Sequence, residues 1–434
     1  MEIKQNSFYG LIGFAIPALI LLIAYPILVK HLGTEVFGIY VLATSISGAI
    51  AFLDFGFSTA TLKFVAEYMG KKDPKSVANV IITSLLFYGG LGSLGAIIIW
   101  MLSPWLSGLF SIDEKLSIDA MWAFRLSSIQ FAISFLMMVF ISLFKGLHKF
   151  NLSTLCLIML SILNYGGVIL AIFYANVNLV EIMIISLMAN FVVLIIAIFI
   201  GYNVCQHDGI ELDSGRVTSH IFKGMFNFGS ALAICSILGY LHGQMQKIII
   251  GVILGPQYVT YFHLGVWAPA KVNAGTLAMT EPLFPKIAAS IIGENKESLR
   301  TIYLRYIVLT AGMSFLALCP LWFFSEFIFE IWFGENLPLS VATIASIVSI
   351  GLFINAIGQP TYHAINGIGQ PWINTAFSIV SPFILYSILA FLFLSKKELV
   401  ITDFAWATSI SLIVSSLSHI IWYEWYVIHR KTNT

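Results

Sequence analysis

Three residues spaced by four, His263, Trp267 and Lys271, have the side chains to hold an anion that also carries a sugar. On a helix that spacing puts them on one face. A lysine ammonium binds phosphate as a point charge. An indole offers its apolar ring face to a sugar ring. All three fall in an apolar stretch, Val259–Leu283. Lys271 lies about 18 Å along it if the stretch is helical, near the middle of a bilayer about 30 Å thick. An ionisable residue at that depth marks a functional pathway or an ion pair. Both remain open here, with Glu281 or Asp54 as the pairing acid.

Asp54 is the second charge at depth. It lies in a predicted helix over Gly38–Leu62, about 24 Å along the axis. Ser47, Asp54, Ser58 and Thr61, with Ala51 between them, recur at three- and four-residue steps and predict one polar stripe. Such a stripe lines a water-accessible path or packs as a seam, and the carboxylate favours the path. Glu281, between Thr280 and Pro282, is a candidate protonatable gate or a partner at a helix break. Arg125 is either a cation facing a cavity or a side chain snorkelling to the interface, and Arg305 fits the second description. Gln244, Gln246 and Lys247 give a further apolar stretch a polar edge, as do Asn355 and Gln359. Pro17, Pro26, Pro282 and Pro285 can bend spans.

The elements that carry these residues must be membrane helices. The chain has 434 residues, 59% hydrophobic and 10% charged, with a mean hydropathy of +0.92. Soluble domains carry about 25% charged residues, so this is a polytopic membrane protein. A net charge of +1 argues against nucleic acid as a partner. Cys156, Cys205, Cys235 and Cys319 form no CxxC pair, so neither a metal site nor a disulfide framework is indicated. The sequence has no P-loop, HExxH or GxSxG motif, so no enzyme chemistry stands out. The apolar run after Lys4 lacks a small-x-small cleavage site and reads as an uncleaved first span.

Twelve spans are predicted: Phe8–Leu28, Gly38–Leu62, Val77–Leu102, Met121–Leu143, Leu152–Tyr174, Val180–Tyr202, Phe222–Gln246, Val259–Leu283, Ile302–Phe324, Val341–Gln359, Trp372–Leu394 and Ile401–Val427. Of the 22 Lys and Arg, 14 fall in loops on the side of the N-terminus. Five, Lys247 among them, fall on the other side. That asymmetry places both termini in the cytoplasm. The chain also repeats itself weakly. Phe8-Tyr9-Gly10 resembles Phe222-Lys223-Gly224. Leu32-Gly33 resembles Leu254-Gly255, and Lys145-Gly146-Leu147 resembles Asn366-Gly367-Ile368. The offsets are 214, 222 and 221 residues. The pattern predicts two six-helix lobes, 1–205 and 222–434, joined by a polar cytoplasmic loop, 206–221. An even number of helices relates them by an axis along the membrane normal.

Several segments carry a family resemblance. LGTEVFGIY from Leu32, LDFGFSTATLKFVAEY from Leu53 and the Gly146 loop with His148-Lys149-Phe150 are similar to the Wzx-type flippases of polysaccharide repeat units. In the second half, KIIIGVILGPQYVTYF from Lys247, EIWFGEN from Glu330 and NGIGQPW from Asn366 agree. These flippases belong to the multidrug/oligosaccharidyl-lipid/polysaccharide (MOP) exporter superfamily. The resemblance implies two six-helix bundles around a cavity that opens alternately to each side of a bacterial inner membrane. It implies a cationic lumen for the diphosphate and glycan of an undecaprenyl-diphosphate-linked oligosaccharide. Lys271 and Arg125 are its candidates for lumen cations, and Asp54 matches the family's acid in the second helix. It implies no cofactor, coupling to a proton or sodium ion, and membrane lipids and a polysaccharide polymerase as partners. Gln246 stands where relatives often have an acid, which puts ion coupling through that position in doubt.

Two other functions compete. A multidrug/cation antiporter of the same fold should hold acids in its cavity, whereas Lys271 is the charge predicted near the midplane. A membrane enzyme acting on lipid-linked sugars would need paired acids on an outer loop. Asp113, Glu114 and Asp119 lie there, with nothing beside them to suggest a site.

Overall fold

Gly33 sets the course of the first helix. Its φ of 76° and ψ of 166° are non-helical and kink an otherwise continuous helix, a conformation that costs a glycine little and any other residue considerably more. The computed structural model describes residues 2–48, 54–278, 280, 283, 299–334, 337–368, 370–396 and 398–432. Among these residues every regular element is helical. In order they are α1 (Glu2–Ser47), α2 (Phe57–Gly70), α3 (Pro74–Leu109), α4 (Ser117–Gly146), α5 (Phe150–Ser161), α6 (Gly167–Ala175), α7 (Leu179–His207) and α8 (Ser219–Gly243). They continue as α9 (Met245–Ile253), α10 (Pro256–Ala278), α11 (Leu299–Phe323), α12 (Ser325–Phe333), α13 (Leu339–Gly367), α14 (Pro371–Ser378), α15 (Val380–Lys396) and α16 (Ile401–Thr432). One π-helical turn, Ile162–Gly166, joins α5 to α6.

Nine helical stretches among the described residues are long and apolar enough to cross a membrane. They make this a multi-pass membrane protein. α8 and α10, which contain most of the predicted seventh and eighth spans, lie outside those nine. The expected continuous span Gly38–Leu62 is not observed. The chain turns at Asp54–Gly56, where Phe55 (φ 47°) and Gly56 (φ 67°) are left-handed.

The chain divides into two compact units, Met1–Tyr240 and Leu241–Thr434. The division falls within α8. In the first unit Phe57, Tyr88, Phe131, Phe135 and Phe144 are fully buried in one core. The first half of α8 joins that core, with the Phe222 ring 6.1 Å from that of Phe57. The polar segment before α8 docks on α3, where the Arg216 amide donates to Asn79 Oδ1 at 2.6 Å. In the second unit Tyr303 and Tyr423 pack at 4.6 Å in a core with Ile365 and Ile373.

Candidate substrate-binding site

The second unit builds a polar break and a cationic cluster side by side. α8 ends at Gly243 and α9 begins at Met245, so carbonyls at the join lack helical partners. Side chains supply them. Tyr386 on α15 donates to the Leu241 carbonyl, and the Gln246 amide donates to that of His242. Gln246 is buried and accepts from Thr408 on α16 at 2.8 Å. Ser381 lies 3.1 Å from the His242 ring. These bonds hold the break against α15 and α16 and set the position of Lys247 beside it. Lys247 is half-buried and donates to Gln244 at 3.0 Å.

α10 presents His263, Trp267 and Lys271 on one helix, all half-buried. The Lys271 ammonium lies 6.0 Å from the centre of the Trp267 ring. Trp267 packs in turn on Trp332 of α12, with ring centres 5.7 Å apart. An ammonium group and an imidazole on the helix that carries Trp267, itself paired with Trp332, can hold a phosphate next to a sugar ring. The sequence-based assignment of Lys247 to a loop is corrected here: it lies in α9. A signal for it was available. Lys247 and His263 each stand eight residues from Gly255, which has a positive φ of 95° between α9 and α10. Two helices that reverse about that glycine bring positions equidistant from it level.

Asp54 is corrected too. It does not sit inside a straight helix but in the turn that starts α2. Its carboxylate accepts from the Ser58 amide at 3.1 Å, from the Ser58 hydroxyl at 2.8 Å and from the Tyr88 hydroxyl. The side chain is buried. Ala51 of the expected stripe lies outside the described residues, and two other members bond within the same unit. Ser47 donates to the Ser127 carbonyl at 2.9 Å, and Thr61 bonds Ser84 at 2.9 Å. Ser47, Ser58 and Thr61 thus bond inside the first unit, and Asp54 lies in a turn rather than in a straight helix. On the other side of the turn lies Gly229 of α8. A Cβ there would stand 2.6 Å from the Phe55 carbonyl oxygen, so α8 approaches this closely only through a residue without a side chain.

Arg125, on α4, lies in the first unit and the Lys271 cluster in the second. Its guanidinium lies beside Trp100 at 5.2 Å and Trp122 at 5.1 Å, with Nε donating to Ser103 at 3.2 Å. Glu281, Pro282 and Pro285 lie outside the described residues. No three metal-ligating side chains converge among the described residues.

Comparison with known proteins gives a consistent picture. A protein of Shigella flexneri described as "Putative O-antigen transporter" is 24% identical over 424 residues, 96% of each chain. An inward-facing multidrug resistance MATE family transporter of the MOP superfamily superposes with a TM-score of 0.82 at 17% identity, over 98% of this chain and 99% of that one. A MOP superfamily transporter from Pyrococcus furiosus Vc1, described as having a binding pocket of reverse polarity that suggests a different function, superposes with a TM-score of 0.68. It is 19% identical, with 99% of this chain and 96% of that one covered. Residues 3–277 match the family model for polysaccharide biosynthesis proteins. The chain therefore belongs to the polysaccharide biosynthesis protein family, on a helical fold shared with MOP-superfamily transporters.

Proposed function

We propose that this protein is a flippase that moves an undecaprenyl-diphosphate-linked oligosaccharide from the cytoplasmic to the periplasmic leaflet of the inner membrane. It works by alternating access of two six-helix bundles, with both termini in the cytoplasm and a proton or sodium ion as the driving ion. The row of His263, Trp267 and Lys271 on α10 carries this reading. Its charge suits a diphosphate, and its indole suits the adjoining sugar. The Shigella flexneri relative, described as an O-antigen transporter, points to the same substrate class. The fold by itself also admits a multidrug/cation antiporter, which calls for carboxylates turned to an organic cation. Asp54 instead has its carboxylate engaged by Ser58 and Tyr88.

Deletion of the gene should leave a lipid-linked glycan accumulating on the cytoplasmic leaflet. Lys271→Ala should lose most surface polysaccharide at normal protein abundance, and Lys271→Arg should retain part of it. Lys247→Ala should weaken export in the same assay. If Lys271 serves a structural ion pair instead, Lys271→Ala should lower abundance, and adding Glu281→Gln should restore it. Normal export by Lys271→Ala at normal abundance would remove Lys271 from the site. Raised drug resistance without restored polysaccharide would establish the antiporter.

A further inference from the structure

The surroundings of Arg125 describe a second site, independent of the transport reading. Its guanidinium lies beside Trp100 and Trp122 and bonds the Ser103 hydroxyl. The two indoles meet edge-on, with centres 6.3 Å apart at 87°. Ser103 is itself held by the Trp100 carbonyl at 2.8 Å. An arginine carries five N–H donors, and Nε alone bonds a protein group among the described residues. No carboxylate among the described residues pairs with it. This cation is thus held at Nε beside two indoles, with its two terminal amino groups turned to no protein acceptor among the described residues.

The surface around it is apolar. Ile97, Met101, Trp105 and Ile118 are exposed, and Trp100 and Trp122 are each about two-fifths exposed. On a helix that crosses a membrane, such a surface meets lipid. α3 has 36 residues and is about 54 Å long, so it overhangs a hydrocarbon core of about 30 Å by about 12 Å at each end if centred. Trp100 lies about 14 Å from the end of α3, and Arg125 about 12 Å from the start of α4. Both therefore reach the boundary between acyl chains and headgroups, where tryptophan concentrates and long cations extend to phosphate.

We propose that Arg125, beside Trp100 and Trp122, binds the phosphate of a membrane phospholipid. A guanidinium offers parallel N–H donors to two phosphate oxygens, and stacking on indoles orients it for them. The bound lipid supplies the negative charge that this cation lacks within the protein.

Native mass spectrometry of delipidated full-length protein tests the site. The protein is titrated separately with phosphatidylglycerol, with diacylglycerol, with inorganic phosphate and with undecaprenyl diphosphate. Wild type should retain phosphatidylglycerol about tenfold better than diacylglycerol, the scale of one charge-assisted contact. Arg125→Ala should abolish that preference. Arg125→Lys, which keeps the charge and loses the planar fork, should fall between the two. Trp100→Leu should weaken retention while leaving the charge in place, so the test stands even if Arg125→Ala fails to fold. Lys115→Ala, an exposed lysine near the same helix end, should change nothing. Unchanged phosphatidylglycerol retention in Arg125→Lys and Trp100→Leu would overturn the proposal. So would binding of inorganic phosphate as tight as that of the phospholipid. Arg125-dependent binding of undecaprenyl diphosphate without phosphatidylglycerol would also overturn it and assign Arg125 to the transported substrate.

Discussion

Replacing Tyr88 with phenylalanine removes one hydroxyl from the buried Asp54 carboxylate and little else. The ring remains in contact with Phe57, Phe87 and Phe135, whose centres lie 6.0, 5.6 and 5.5 Å away. Tyr88 is fully buried and Asp54 is 6% exposed, so water does not readily replace the lost donor. A hydrogen bond to a charged group contributes about 1.5–3 kcal/mol. For a unit of 240 residues, each kcal/mol shifts the midpoint by about 2–4 °C, so Tyr88→Phe should lower Tm by about 3–12 °C. Ser58→Ala removes the second hydroxyl and leaves its amide in place. The double variant should depart from additivity, because both donors serve one carboxylate. The assay is thermal unfolding of the purified protein in one detergent, with membrane abundance measured alongside. The loss should appear as a loosened turn between α1 and α2, and hence as weaker polysaccharide export. A Tm within about 1 °C of wild type for Tyr88→Phe would refute the argument that this bond holds the turn.

The approach of α8 to the same turn makes a second prediction. Gly229→Ala should destabilise by about 1–3 kcal/mol through overpacking, since its Cβ would meet the Phe55 carbonyl. Gly239→Ala on the same helix has nothing within 4 Å and should be neutral or slightly stabilising in the same thermal assay. The third prediction concerns acid. Burial works against the charged form of Asp208, but bonds from Lys149 and His207 outweigh it and hold the carboxyl below its ordinary range. The Lys149–Asp208 contact is 2.7 Å. Its stabilisation is present above the unfolded value of about 3.9 and disappears as pH falls through the lower folded value. Asp208→Asn should therefore cost about 1 kcal/mol at pH 7, and its Tm should converge with that of wild type on acidification below about pH 3. A gap that stays constant with pH would show that the ion pair is not its source.

The sequence alone determined what composition and periodicity determine. Ten per cent charged residues in 434 cannot cover a soluble surface, so the chain had to lie in a membrane, and apolar runs of about 20 residues made its spans helical. Four-residue spacing was enough to put His263, Trp267 and Lys271 on one helix face, because helix geometry is local. The family motifs were legible as well, since they are strings of neighbours. What the tertiary structure decided depends on reversals of the chain. The Asp54 stripe read as a continuous helix because the apolar pattern runs unbroken past Phe55 and Gly56. The left-handed turn there is held by Tyr88, 34 residues away in sequence, and by the approach of Gly229. Lys247 read as a loop cation because a span end and a helix break look alike in hydropathy. Only the turn at Gly255 and the bond that ties Gln246 to Thr408 show that it belongs to a helix packed in the second unit. The clamp on Arg125 joins residues of two helices, Trp100 on α3 and Trp122 on α4. One-dimensional spacing carries no record of such a contact, because side-chain packing between helices sets it and the period of either helix does not.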